Sequence, residues 1–406
     1  MNKSTLIFFA VSLFLFQFVF PEKCVSTSLP ERPNIVFILA DDLGWADLPA
    51  YGNVFNEAPH IDRLADAGMR FTDAYAACPV CSPTRASIQS GQYPARVGVI
   101  DFIPGHWRPW EEVIVPQNKT QYLPPEIETV AEALKKSGYA TGYFGKWHLG
   151  NSPETHPSEQ GYDEAFVYSG GGFYQPRFVP EPGKKYKGRL SDILTDMSLD
   201  FMERNQPGVS GKPFFLFLAH YDVHVQLDAD KDLIGKYLQK DPKDYYPGNA
   251  VYAAMIEHVD RSVGRVVQKL DELGLDENTA VIFYSDNGGL ISRFDRIPLL
   301  ARRSLPVYKD NPLKYIATSN APLRAEKGTL YEGGIREPLI VKWPRNIQAG
   351  IVSDAIVTSV DFYPTLLELA GVDSSGGQKL DGESMVPLWR GEEPDPGRAV
   401  FWHYPV

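Results

Sequence analysis

Four short polar clusters carry side chains suited to chemistry. Cys78-Pro79-Val80-Cys81 runs directly into Ser82-Pro83-Thr84-Arg85. Asp41-Asp42, the pair His220 and His224, and Asp286-Asn287 each come just after an apolar run. Carboxylates and an amide offer hard oxygen donors, and oxygens gathered in one place favour a hard divalent cation such as calcium. Each motif also has a bland reading. Asp-Asp can cap a helix or sit in a solvated turn, Asp-Asn-Gly can form a tight turn, and His220 is expected to be structural. Cys78-x-x-Cys81 could be a redox or metal-binding pair, but no second pair exists to complete a four-cysteine zinc site.

Bringing these clusters together needs a particular scaffold. Residues 34–40, 214–219, 280–284 and 339–343 are apolar, β-branched runs suited to strands buried on both faces. Helical patterns lie between them, at 60–67, 129–136, 252–273 and 362–370. The strongest repeats Ile256, Val259, Val263, Val266, Leu270 and Leu273, and Gly371 is placed to stop the last. Strands alternating with helices predict an α/β fold, a doubly wound, mostly parallel sheet flanked by helices. In such sheets the carboxyl ends of the strands line the binding crevice, where Asp41-Asp42, the His220 and His224 pair and Asp286-Asn287 fall. Pro- and Gly-rich stretches at 104–125 and 169–188 read as long loops, and 293–320 as an insertion. Asn118-Lys119-Thr120 is a glycosylation sequon.

The 406 residues carry a net charge of −11, which argues against a general grip on nucleic acid or an acidic membrane surface. Lys3, the apolar run 6–20 and the small residues up to Ser26 read as a signal peptide over 1–26, handled by the secretion machinery. That run is shorter than the roughly 20 apolar residues of a spanning helix, so no permanent membrane span is expected. The protein is expected to be exported, to a periplasm or the cell exterior. Cleavage after Ser26 removes Cys24 and leaves Cys78 and Cys81, too few for a disulfide network.

Cys81-Ser82-Pro83-Thr84-Arg85, followed by residues 86–91, resembles the sulfatase signature, in which Cys-x-Pro-x-Arg directs oxidation of the cysteine to formylglycine. Asn34-Ile35-Val36 leading to Asp41-Asp42-Leu43-Gly44, residues 138–148 ending in Gly145-Lys146-Trp147-His148, Ser285-Asp286-Asn287-Gly288-Gly289, and residues 327–336 resemble further family motifs in family order. The resemblance covers nearly the whole chain after the signal. It implies an alkaline phosphatase-like catalytic domain over 32–375, with 376–406 the start of an incomplete C-terminal subdomain. It implies a sulfuric ester hydrolase acting on a small aryl sulfate in assays and a sulfated carbohydrate in nature. A formylglycine-generating enzyme is the implied maturation partner.

The chemistry is intelligible. A hydrated aldehyde at position 81 offers two hydroxyls on one carbon: one attacks sulfur and expels the alcohol, and loss of a proton from the other re-forms the aldehyde and releases sulfate. By resemblance, Asp41, Asp42, Asp286, Asn287 and residue 81 hold one Ca2+. Arg85 steadies the hydrate, and Lys146 and Lys327 hold sulfate oxygens. His148 takes the second hydroxyl's proton, His224 lies near the leaving oxygen, and Ser169 donates to sulfate. Three places depart from the family pattern: Gln89-Ser90, Gln226 and Ala325-Glu326. Two rival readings stand beside this one. A phosphate or phosphonate ester hydrolase could use the same scaffold, and with Cys81 unconverted the protein would be a non-catalytic binder of sulfated glycans.

Overall fold

The computed structural model describes residues 32–106, 115–242, 246–293, 295–372 and 377–405. The expected signal peptide, with Cys24, lies outside them. Asn34–Ala40 forms strand β1, every residue of it buried. Its side chains alternate between two cores, with Val36, Ile38 and Ala40 in one and Ile35, Phe37 and Leu39 in the other. A strand apolar on both faces must be covered on both, and this one is.

Nine more strands join it: β2 (Met69–Tyr75), β3 (Ala140–Gly145), β4 (Glu164–Gly170), β5 (Arg177–Val179), β6 (Phe214–Ala219), β7 (Thr279–Ser285), β8 (Arg336–Lys342), β9 (Ile351–Ser353) and β10 (Val357–Thr358). The sheet order is β10-β2-β8-β7-β1-β6-β3-β4-β5, with β9 also paired to β2. The centre, β7-β1-β6-β3-β4, is parallel throughout. β8 runs antiparallel to both its neighbours, and β5 antiparallel to β4. The apolar run at 339–343 is therefore a strand, but it starts earlier and points the other way. Burial on both faces dictates hydrophobicity and leaves direction open.

Helices Pro59–Asp66, Leu190–Asn205, Lys231–Leu238 and Ala250–Glu272 cover the first core. Helices Cys81–Ser90, Val130–Lys136 and Phe362–Leu369 cover the second. In Ala250–Glu272, Ile256, Val259, Val263, Val266 and Leu270 are fully buried, each such side chain stabilising by about 1.5–3 kcal/mol. This helix starts two residues before the apolar pattern because Asn249 caps it, accepting from the Val251 and Tyr252 amides. Thr129 caps the 130–136 helix reciprocally with Glu132. Gly371, in the left-handed region at φ 66°, ends the last one as expected.

The 169–188 stretch is not wholly loop, since it contains β5. The described part of 293–320 holds only two short 3-10 turns, Leu305–Tyr308 and Pro312–Tyr315. In the described part of 377–405, Met385, Val386 and Trp389 pack into the second core. Trp402 Nε1 donates to the Ala76 carbonyl. No helix among the described residues is long and apolar enough to cross a membrane.

Candidate active site

Strand register assembles the site. Ala40 at the end of β1 lies level with Ser285 at the end of β7, so Asp41-Asp42 and Asp286-Asn287 leave the sheet side by side. On the other side of β1, Gly145 of β3 lies level with Ala219 of β6, which sets Lys146 beside His220. A Cβ on Gly145 would stand 1.8 Å from the Ala219 carbonyl oxygen, so only glycine permits that approach.

Cys81 arrives from the second face as the first residue of the Cys81–Ser90 helix, 2% exposed. Arg85 follows one turn later on the same face. The Arg85 guanidinium grips Asp286 Oδ2 through Nε at 2.8 Å and Nη2 at 2.7 Å, and donates to the Lys146 carbonyl at 2.7 Å. Lys146 Nζ pairs with Asp41 Oδ2 at 2.6 Å. Lys327 Nζ pairs with Asp42 Oδ1 at 2.5 Å and stands 3.5 Å from Cys81 Sγ. Asn287 Nδ2 donates to Asp42 Oδ1 at 2.7 Å. Three carboxylates thus face three cations inside the protein.

Three buried oxygens of this group lack any hydrogen-bond donor: Asp41 Oδ1, Asp42 Oδ2 and Asn287 Oδ1. An orphaned buried acceptor costs about 1–3 kcal/mol, and three together fit a cation-binding cradle of hard oxygens. Both Asp286 oxygens have donors, Oδ1 from the Asp42 amide at 3.2 Å and Oδ2 from Arg85. Asp42 and His148 both adopt φ 61°, a strained backbone of the kind found at functional sites.

The imidazoles are oriented by backbone carbonyls. His148 Nε2 is 2.7 Å from the Ile103 carbonyl oxygen, so that nitrogen carries the hydrogen. Its Nδ1 is buried, without a hydrogen-bond partner, and interacts with the Cys81 side chain. His224 Nδ1 donates to the Val225 carbonyl at 2.6 Å, leaving Nε2 3.7 Å from Asp42 Oδ2.

Electrostatics follow from this packing. Burial penalises the Asp42 carboxylate, but Lys327 and His224 outweigh it and hold its pKa well below the usual range. Burial would lower the His224 pKa, yet the Asp42 carboxylate more than compensates and raises it. Burial likewise opposes ionisation of the Cys81 thiol, and Lys146 and Lys327 overcome it, so the thiol's pKa lies well below its ordinary value.

Not every expected residue joins the cluster. Ser169 is exposed at the end of β4, among residues lining a separate cavity of about 880 Å³ with Trp147, His156 and Pro180. No hydrogen bond joins it to Cys81 or the lysines among the described residues. His220 is structural: Nε2 lies 3.0 Å from Ser262 Oγ, and burial pushes its pKa down to about 3. Cys78 is a buried free thiol 3.8 Å from the Ile100 carbonyl oxygen. Gln89 is accommodated by accepting from Tyr162 at 3.0 Å. Glu326 ties down the rim, accepting from the Ile291 and Ser292 amides. Gln226 is exposed.

Two participants escaped the sequence. Tyr143 OH donates to the Lys146 carbonyl at 2.5 Å. The Tyr221 ring lies 5.5 Å from Lys146 Nζ and 4.9 Å from the His224 ring. Tyr143 lay within the 138–148 motif without a role of its own, and the signal for Tyr221 was its position just after β6.

The family model described as Sulfatase matches residues 33–372. The chain belongs to the sulfatase family. This sulfatase is 34% identical over 384 residues to N-acetylgalactosamine-6-sulfatase of Sus scrofa, covering 89% of this chain and 66% of that protein. It is 33% identical over 454 residues to a sulfatase of Formosa agariphila, covering 92% and 76%. Among solved structures, Ps i-CgsB in complex with k-i-k-neocarrahexaose superposes with a TM-score of 0.73 at 30% identity, over 90% of this chain and 77% of that one. The fold is the alkaline phosphatase-like one that sulfatases share. The chain spans about two thirds of the length of the Sus scrofa relative.

Proposed function

We infer that this sulfatase hydrolyses sulfate monoesters of carbohydrates, with Cys81 converted to formylglycine and one calcium ion bound. The observation carrying the reading is the company Cys81 keeps. It sits at a helix N-terminus, between Lys327 and His148, against three oxygens without donors. Calcium, held by Asp41, Asp42, Asp286 and Asn287, would supply Lewis-acid stabilisation of sulfate oxygens. Position 81, as a hydrated aldehyde, would supply the nucleophilic hydroxyl.

The chain's own residues do the rest. Lys146, buried, and Lys327, part-buried, present ammonium groups where charge builds up on sulfate, in a medium that strengthens each contact. Arg85, locked by Asp286 and the Lys146 carbonyl, fixes the helix turn that carries residue 81. His148 has its Nε2 hydrogen committed to Ile103, so Nδ1 is free to take a proton from residue 81. His224, with its raised pKa, keeps a proton available for the leaving oxygen. The Sus scrofa relative is named for a sulfated amino sugar and the structural neighbour holds a hexaose, which supports a carbohydrate substrate. Export and a maturation enzyme able to oxidise Cys81 belong to the same proposal.

The test is the mass of the tryptic peptide containing residue 81, from protein made in a converting host. Formylglycine lowers it by about 18 Da. An unmodified peptide in active protein ends the reading. Parallel assays on sulfate and phosphate esters, with the metal content measured, separate it from a phosphate or phosphonate hydrolase.

A further inference from the structure

The hydrogen on His148 Nε2 is held by the Ile103 carbonyl oxygen, and Ile103 belongs to no strand or helix. Side chains place it instead. Every backbone amide from Ile100 to Ile103 donates to a side-chain oxygen. Ile100 and Asp101 donate to Asn118 Oδ1 at 2.7 and 2.8 Å, Phe102 to Asp101 Oδ1 at 2.8 Å, and Ile103 to Ser82 Oγ at 3.1 Å. Asp101 also closes the far end of the loop, its Oδ2 accepting from the His106 amide and ring Nδ1, both at 2.8 Å. Loop amides must be satisfied by whatever lies against them, and here that is side chains.

Asn118 carries the largest share. Its Oδ1 takes two of those amides, and its Nδ2 donates to the Asp101 carbonyl at 3.1 Å. The amide of the next residue, Lys119, donates to the Gly98 carbonyl at 2.7 Å. The 98–101 segment is thereby clamped to 118–119 in both directions. The same asparagine opens the sequon Asn118-Lys119-Thr120. A glycan acceptor presents its nitrogen to solvent, whereas this residue is half-buried and its nitrogen is turned inward.

We propose that Asn118 is a positioning residue for His148, bracing the loop whose Ile103 carbonyl keeps that imidazole's hydrogen on Nε2, and that it is not a glycan acceptor in the active protein. Without the brace, Ile103 no longer pins the ring. The imidazole then divides between two tautomers, and the one with its hydrogen on Nδ1 cannot accept a proton there. Lys146 and Lys327 are held by Asp41 and Asp42 instead, so sulfate binding is spared while turnover suffers. The link to turnover rests on the proposed role of His148; the brace does not.

The test uses the full chain from a eukaryotic secretory host that converts residue 81. The peptide containing Asn118 is expected to carry no sugar. Thr120→Ala, which destroys the sequon and spares Asn118, should match the parent in kcat and KM. Asn118→Ala should speed hydrogen exchange of the amides from Ile100 to Ile103 at least about tenfold. It should lower kcat roughly tenfold to 100-fold, with KM within about twofold of the parent. His148→Ala should lower kcat by roughly 100-fold or more, and adding Asn118→Ala to it should lower kcat little further, because both remove the same contribution. Asn118→Asp, which keeps the acceptor oxygen and loses the donor, should fall between the parent and Asn118→Ala, and it carries the same measurements if the alanine variant fails to fold. A glycan on Asn118 in fully active protein overturns the proposal. So do unchanged exchange in folded Asn118→Ala and losses that multiply in the double variant. If exchange quickens as expected but His148→Ala leaves kcat intact, the proposed function loses His148 as its base while the brace stands.

Discussion

Asp42 and Glu337 are both buried carboxyls on one sheet, and they behave in opposite ways. Asp42 follows β1 and meets Lys327 and the Asn287 amide, so it is held ionised. Glu337 lies in β8 at 0% exposure, and neither of its oxygens has a hydrogen-bond partner. Burial first, and then the negative field of Asp286, lift its pKa well above the ordinary value and keep it protonated. The lesson is local. Of these two buried carboxyls, the one with a cation packed against it keeps its charge and the one without keeps its proton.

The sharpest way to break that contrast is to remove a cation. Arg85→Met leaves Asp286 buried without its partner. Loss of one member of such a pair costs about 3–5 kcal/mol, read as a fall in the urea midpoint. A variant as stable as the parent would mean Asp286 simply takes up a proton. Lys327→Ala should spare more stability but lower kcat/KM by roughly 100–1,000-fold, the usual cost of one charge-stabilising donor. A loss confined to KM would show that Lys327 binds substrate without favouring the transition state.

Glu337→Gln probes the other half. With its pKa raised in the folded state, Glu337 keeps a proton that the unfolded chain loses above about 4.3. Its contribution is therefore most favourable in acid and is lost as pH rises, by up to about 1.4 kcal/mol per pH unit. The parent should lose stability from pH 5 to pH 7.5 more steeply than the variant, measured by denaturant unfolding at each pH. Equal slopes would show that Glu337 is ionised. The smallest effect is expected at the surface, where Lys135 pairs with Asp163 at 2.8 Å while both are over 40% exposed. Lys135→Gln should cost less than about 1 kcal/mol and leave activity unchanged; a larger cost would mean that exposed pairs here count as buried ones do.

Much of the site was legible because its parts are local. Asp41-Asp42 and Asp286-Asn287 announce themselves by following strands, and Cys81 with Arg85 by resemblance to the Cys-x-Pro-x-Arg signature. The Cys81–Ser90 helix was not legible, because all ten residues are buried and no polar face marks its period. Ser169 stands apart from the hydrogen-bonded cluster, and a glycine-rich context says nothing about which side of β4 a side chain reaches. Glu337 was passed over since one glutamate in an apolar strand looks like any solvent-facing charge.

The sequence by itself determined the four strands at 34–40, 214–219, 280–284 and 339–343, that the sheet is covered on both faces, and which side chains offer oxygen, nitrogen or sulfur at its edge. Those follow from short-range pattern and from the chemistry of each residue. Only the tertiary structure decided which lysine pairs with which aspartate, which imidazole nitrogen stays free, and which carboxyl keeps its proton. Those depend on strand register and burial, which bring residues some 245 positions apart, Asp42 and Asn287, within one hydrogen bond.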